Sequence, residues 1–193
     1  MVRWLPICAA LCLTLGACAK PEILDPRGGT VPAGMDLSGN WVMREIPPAE
    51  RRRLREAIRN TDGVDDDEIY GRRSAPNRSR SGKGGVVYIF LETGTALKVT
   101  QTPHALFISF DRSVVEEFRF GENRIVSIGE VEAQRVTGWE GNQLVVETLD
   151  KNSMKLTERF QLLNGGEILQ RRITFRGKKL EEETIVQVFD KAD

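Results

Sequence analysis

The chain has 193 residues, with 28 Lys and Arg against 28 Asp and Glu, one His and three Cys. That charge balance gives no global field to draw in a polyanion, so nucleic acid is not an expected partner. A chain of this length builds one hydrophobic core, with or without a tail.

Arg3 precedes an apolar run, Trp4 to Leu15, far shorter than the roughly 20 residues a membrane-spanning helix needs. It reads as the core of a signal peptide, with the small residues Gly16 and Ala17 at the cleavage site. Leu15-Gly16-Ala17-Cys18 resembles the bacterial lipobox. The resemblance implies a signal peptide over 1–17, a diacylglycerol on the Cys18 sulfur, and acylation of the new amine by a chain such as palmitate. The alternative is an ordinary secretory cut after Ala17 that leaves Cys18 unmodified. Ala19 behind the cysteine resembles lipoproteins sent to the outer membrane, which implies a lipid-anchored protein facing the periplasm. Cys8 and Cys12 lie in the removed segment, so the mature chain has no disulfide and relies on packing.

Residues 18–36 carry Pro21, Pro26, Pro32, Gly28, Gly29 and Gly34 with little periodicity, which predicts a flexible tether spanning on the order of 23 Å. A single β domain is expected over 37–193. Its first strand is Ser38 to Met43, small residues leading into an aromatic and β-branched run. Pro47-Pro48 then opens a short helix through Asn60, with Leu54, Ala57 and Ile58 on one stripe and five arginines facing mostly outward. Residues 71–85 hold Arg72, Arg73, Arg78, Arg80 and Lys83 without an acid, the composition of a basic mobile loop.

From Val86 the texture is strand-like runs at short spacing: Val86 to Leu91, Leu97 to Thr102, Ala105 to Asp111, Val114 to Phe120, Arg124 to Ile128, Val131 to Trp139, Leu144 to Leu149, Met154 to Leu163, Ile168 to Phe175 and Leu180 to Phe189. The fold class is therefore mainly β, an antiparallel up-and-down meander closing into a barrel or a strongly curled sheet.

Turn signals set the registers. A two-residue Asn164-Gly165 hairpin places Phe160 opposite Leu169, Leu156 opposite Ile173, Met154 opposite Phe175, and Glu158 opposite Arg171, all on one face. A Gly177-Lys178 turn adds Leu180, Thr184 and Val186 to that face. A three-residue loop at Asp150 to Asn152 adds Leu144 and Val146, and a Gly141-Asn142 turn adds Trp139, Thr137 and Arg135. The expected interior is apolar with a charged patch across its middle.

Gly39-Asn40-Trp41 is the G-x-W that opens the first strand of lipocalins, and a meander around an apolar interior follows it. Trp139 to Val146 is similar to a turn in bacterial lipocalin-like domains. The chain from Asp36 to Asp193 thus resembles a lipocalin-like domain of unknown function, which implies a barrel and leaves its ligand open.

Other chemistry finds little footing. His104 lies in a turn with neither a second histidine nor a mature free cysteine to join it in a metal site. There is no G-x-S-x-G nucleophile elbow. Ser81-Gly82-Lys83-Gly84-Gly85 lacks the spacing of a phosphate loop, and Asp65 to Glu68 lacks that of a calcium loop. No cofactor is expected. The basic loop suits anionic head groups or envelope glycans, or is simply solvated. Glu158 sits with a cation rather than a second carboxylate, the wrong arrangement for glycoside hydrolysis. Arg171 with Arg135 could receive an acyl carboxylate, with Glu158 as neighbour, or Glu158 and Arg171 could form a structural ion pair. The expectation is a non-enzymatic lipoprotein that binds a small apolar or amphipathic ligand. The alternative is an envelope interaction protein, an assembly factor or inhibitor with a barrel filled by its own side chains.

Overall fold

The computed structural model describes residues 22–45, 48–49, 52, 89–177 and 180–192. Alternating apolar residues and short turns produce ten strands: β1 (Gly39–Met43), β2 (Ala96–Gln101), β3 (Ala105–Phe110), β4 (Val114–Arg119), β5 (Asn123–Ile128), β6 (Val131–Glu140), β7 (Gln143–Asp150), β8 (Lys155–Leu163), β9 (Ile168–Gly177) and β10 (Leu180–Ala192). All pair antiparallel in the order β4-β3-β2-β1-β10-β9-β8-β7-β6-β5. Every successive pair is hydrogen-bonded except β4 and β5, and β1 also joins β10, so β4 and β5 are the two free edges. The sheet curls until those edges approach: Arg124 Nη2 donates to the Glu117 carbonyl at 3.0 Å, and the Gly121 amide to the Thr137 carbonyl at 2.8 Å. The result is the curled antiparallel meander expected from the strand spacing.

Two ends follow from the topology. The first, end A, carries the β3–β4, β5–β6, β7–β8 and β9–β10 turns and the long connection from β1 to β2. End B carries the β2–β3, β6–β7 and β8–β9 turns and the start of β1. End B is packed by Leu37, Trp41, Leu106, Phe118, Phe120, Trp139, Leu144, Phe160, Leu169 and Phe189, which belong to one buried cluster that continues through Val99 and Ile108 to Leu97 and Phe110 at the other ends of β2 and β3. Trp41 of the G-x-W is 1% exposed, and its indole donates to the Leu37 carbonyl at 3.1 Å.

Several registers differ from the sequence expectation. The Gly141-Asn142 turn holds, with Trp139 opposite Leu144. At the next two turns the loops are longer. Leu149 pairs with Lys155, because the Asp150 carboxylate collects the amides of Asn152 and Met154 at 2.8 and 2.9 Å. Leu163 pairs with Ile168, because Asn164, Gly165 and Gly166 all take positive φ and carry the turn through Glu167. Both changes move partners by two residues, and side chains alternate with period two, so the faces survive. Between β9 and β10 the change is odd. A bulge between Leu180 and Glu183 sets Arg171 opposite Gln187, so Ile185, Gln187 and Phe189 point inward while Thr184 is exposed and Val186 half-buried.

The strand expected at Val86 to Leu91 is not formed where it is described: Ile89 and Phe90 are in a 3-10 turn. The expected helix falls almost wholly outside the described residues; Pro48, Ala49 and Arg52 have helical backbone, and the helix itself is not established. The basic loop over 71–85 lies outside the described residues as well.

The tether is corrected from Glu22 onward, where the chain is packed as a strap against the sheet. It starts at end A, where Glu22 pairs with Arg176 and lies 3.6 Å from Lys155. It descends the outer face of β6 and β7, where Leu24 is buried with Val136 and Leu149 and its amide meets Gln134 Oε1 at 3.0 Å. Near end B, Arg27 grips Glu147 at 2.5 Å and also pairs with Glu140. Gly28 then bridges to Trp139, whose amide donates to its carbonyl at 2.9 Å. The strap turns under end B, and Val31, Met35 and Leu37 pack into the main cluster. Proline and glycine are there for this path, since a Cβ on Gly138 would stand 2.4 Å from the Gly28 carbonyl and one on Gly29 3.2 Å from that of Phe120.

Gly138→Val must therefore lift the strap, at the roughly 1–3 kcal/mol typical of overpacking. A matching loss of stability in urea melts, together with new protease cleavage between Leu24 and Thr30, is the expected result.

The clasp at Glu147 is also titratable. Burial pushes its carboxyl up, but hydrogen bonds and charge from Arg27 and Lys155 outweigh this and hold it below the ordinary value of 4.5. Its stabilisation is therefore complete above that value and lost as the pH falls through the folded pKa. Hydrogen exchange at the Leu24 amide should accelerate between neutral pH and about pH 3 beyond the intrinsic pH effect, and Glu147→Gln should remove the excess.

Candidate functional site

Between the main apolar cluster and a smaller one toward the end A side of β8, β9 and β10 lies a belt of buried polar side chains. The end A cluster is Leu156, Ile173, Phe175 and Ile185, with Leu91 and Met154 partly buried against it. The belt contains Arg135, Thr148, Glu158, Arg171 and Gln187, each buried, and Glu116 beside Arg135. Strand alternation places them: residues of one parity on β6, β8 and β9 line the interior, and these polar residues occupy core positions in otherwise apolar rows.

Arg135, Glu158 and Arg171 are all interior, as the alternation predicts, but their partners differ from the simple hairpin. Arg171 faces Phe160 and Glu158 faces Ile173, so the two ions meet diagonally. Arg171 Nε donates to Glu158 Oε2 at 2.8 Å, and Nη2 to the same oxygen. Nη2 also reaches the Glu92 carbonyl at 2.9 Å, and Nη1 the Gln187 side-chain oxygen at 3.2 Å. Its guanidinium lies over the rings of Phe110 and Phe160, 5.2 and 5.5 Å from their centroids. Both partners are about 1% exposed. A charge pair so dry holds only because hydrogen bonds and ring faces replace water around it.

Arg135 is built differently. Its Nη1 reaches Glu116 at 3.0 Å and its Nε the Thr148 hydroxyl at 3.2 Å, with Phe90 and Phe118 on its faces at 5.7 and 5.5 Å. Glu116 is the less buried partner, its side chain 19% exposed. Phe118 and Phe160 stand 6.4 Å apart, so the two guanidinium groups bracket one aromatic pair. The site thus joins β4, β6, β8, β9 and β10 across the interior.

Six contributors escaped the sequence reading of the inner face: Glu116, Thr148, Gln187, Phe90, Phe110 and Phe118. Glu116 shares the parity of Phe118 and was findable from it. Gln187 was hidden by the bulge. His104, a turn residue in the sequence reading, is exposed at the β2–β3 turn. Among the described residues no group of three or more His, Cys, Asp or Glu is placed to hold a metal ion. No described helix is long and apolar enough to cross a membrane.

Removing Arg171 strands an acid in the interior, so Arg171→Met should destabilise the protein by about 3–5 kcal/mol. Glu158→Leu added to it should recover most of the loss. A single variant within about 0.5 kcal/mol of wild type in equilibrium denaturation would place the pair in solvent instead.

No family model matches the sequence, and no curated protein sequence matches it. Solved structures do resemble the fold. Secretory abundant heat soluble protein 4 of Ramazzottius varieornatus aligns with a TM-score of 0.51 at 16% identity, covering 83% of this chain and 97% of that one. A second secretory abundant heat soluble protein of the same organism gives 0.50 at 12% identity, with 82% and 97% covered. Fatty-acid-binding protein 1 of Echinococcus granulosus gives 0.46 at 14% identity, covering 81% and 97%. At such identities the likeness to the first two shows the curled β fold alone, and a fold hosts many functions.

Proposed function

We propose that this chain is a lipid-anchored lipoprotein of the outer membrane, facing the periplasm, that holds a small amphipathic molecule inside end A of its barrel. The observation that carries the binding role is the polar belt inside the barrel, bordered on one side by the main apolar cluster and on the other by a second, separate apolar cluster toward the end A side of β8, β9 and β10. A fold selected only for stability gains little from charges at core positions, since well-packed apolar residues serve as well or better. The apolar part of a ligand would lie along Leu91, Met154, Leu156 and Phe175, and its polar end would meet the belt. Arg135 is the group suited to receive it, because its Glu116 partner is the one belt carboxylate with appreciable exposure. Glu158 and Arg171 shape the floor. The anchor rests on Leu15-Gly16-Ala17-Cys18 and the outer-membrane address on Ala19.

The second reading, an envelope interaction protein with a self-filled barrel, is favoured by Arg171, each of whose three nitrogens already donates to a protein oxygen. Native mass spectrometry of protein extracted from its own envelope decides. The binding reading expects an acylated Cys18 and a second, non-covalent small molecule. Occupancy should fall at least roughly tenfold in Arg135→Gln, the worth of one charge-assisted hydrogen bond. A bare acylated chain, or one carrying a protein partner, would favour the second reading.

A further inference from the structure

The strap converts the anchor into an orienting device. An 18-residue coil would leave the barrel free to tumble at a distance, but the chain is already docked at Glu22, held by Arg176 at the end of β9 and Lys155 at the start of β8. Both belong to end A. Cys18 precedes Glu22 by four residues, so even fully extended chain lets the two Cα atoms part by only about 14 Å. The head-group zone of a bilayer is itself roughly 5–8 Å deep on each side. A lipid on Cys18 thus leaves end A almost no room to turn away.

Resting on the reading of Cys18 as lipidated, we infer that the docked strap presses end A against the head groups of the membrane that holds the lipid. Other features of the same end fit a bilayer. Ile23 is 71% exposed beside Glu22, and Val115 and Ile128, 65% and 41% exposed, sit at or near the end A termini of β4 and β5. End B, sealed by the strap, faces away. An amphipathic ligand then passes between bilayer and barrel without crossing water.

The test uses the full lipidated chain in vesicles of phosphatidylethanolamine and phosphatidylglycerol. Cleavage removes Cys8 and Cys12 and lipid blocks Cys18, so one introduced cysteine can be labelled uniquely. A fluorophore on Lys151→Cys, in the exposed β7–β8 turn at end A, should be quenched several-fold more strongly by nitroxide on the head groups than one on Asn142→Cys, exposed at end B. Adding Glu22→Lys together with Leu24→Asp, which removes both the ion pairs and the apolar contact that dock the strap outside the barrel, should collapse that ratio toward one. Equal quenching at the two ends, stronger quenching at Asn142→Cys, or a ratio unmoved by that double change would each overturn the orientation while leaving lipidation standing. Intact mass of the mature chain tells the two failures apart, because an unacylated Cys18 overturns both.

Discussion

The crossing of the strap over β6 is the contact on which the rest of the molecule depends. A sheet curled until its edge strands β4 and β5 approach still has two ends to close, and a barrel with two open ends has no dry interior. The Gly28 carbonyl bonded to the Trp139 amide, with Gly138 bare beneath it, lets the chain pass from the outer wall to the underside of end B. Val31, Met35 and Leu37 then complete the cluster around Trp41. Closing this end shields the polar belt from water on that side.

The belt in turn depends on that dryness. Charges in a low-dielectric interior interact strongly and are costly when unpaired. The Arg171–Glu158 pair meets the demand with hydrogen bonds from every guanidinium nitrogen and with ring faces above and below. Arg135 meets it with a partner nearer to solvent. Two cations of one sequence type therefore sit differently, one with a fully buried carboxylate and one with a partner nearer the surface, and the difference is set by where those partners sit.

The clasp outside the barrel is the third use of charge. Arg27 and Lys155 converge on Glu147, and Glu22 on Arg176 and Lys155. These pairs ride on an apolar contact, Leu24 against Val136 and Leu149, which matters most beside the Glu22 pairs, because they are the more exposed and exposed ion pairs alone contribute about 0–1 kcal/mol. Packing sets the path; charge sets its sensitivity to acid.

The alternation of apolar residues by itself determined the strands from Leu97 to Phe189, the antiparallel meander, and the inward placement of Arg135, Glu158 and Arg171. It did so because side-chain direction repeats every two residues and is a local property. For the same reason the longer turns after β7 and β8 changed partners without changing faces, whereas the odd shift at the Leu180/Glu183 bulge exposed Thr184 and turned Gln187 inward. What only the tertiary structure decided is which distant groups meet: Glu116 with Arg135 across the curl, Arg171 with Glu158 on a diagonal, and a proline- and glycine-rich segment bound to the wall instead of hanging free. Those outcomes rest on the sheet's curvature and on clearances such as the absent Cβ of Gly138, which arise from atoms far apart in the chain and leave no local periodicity to read.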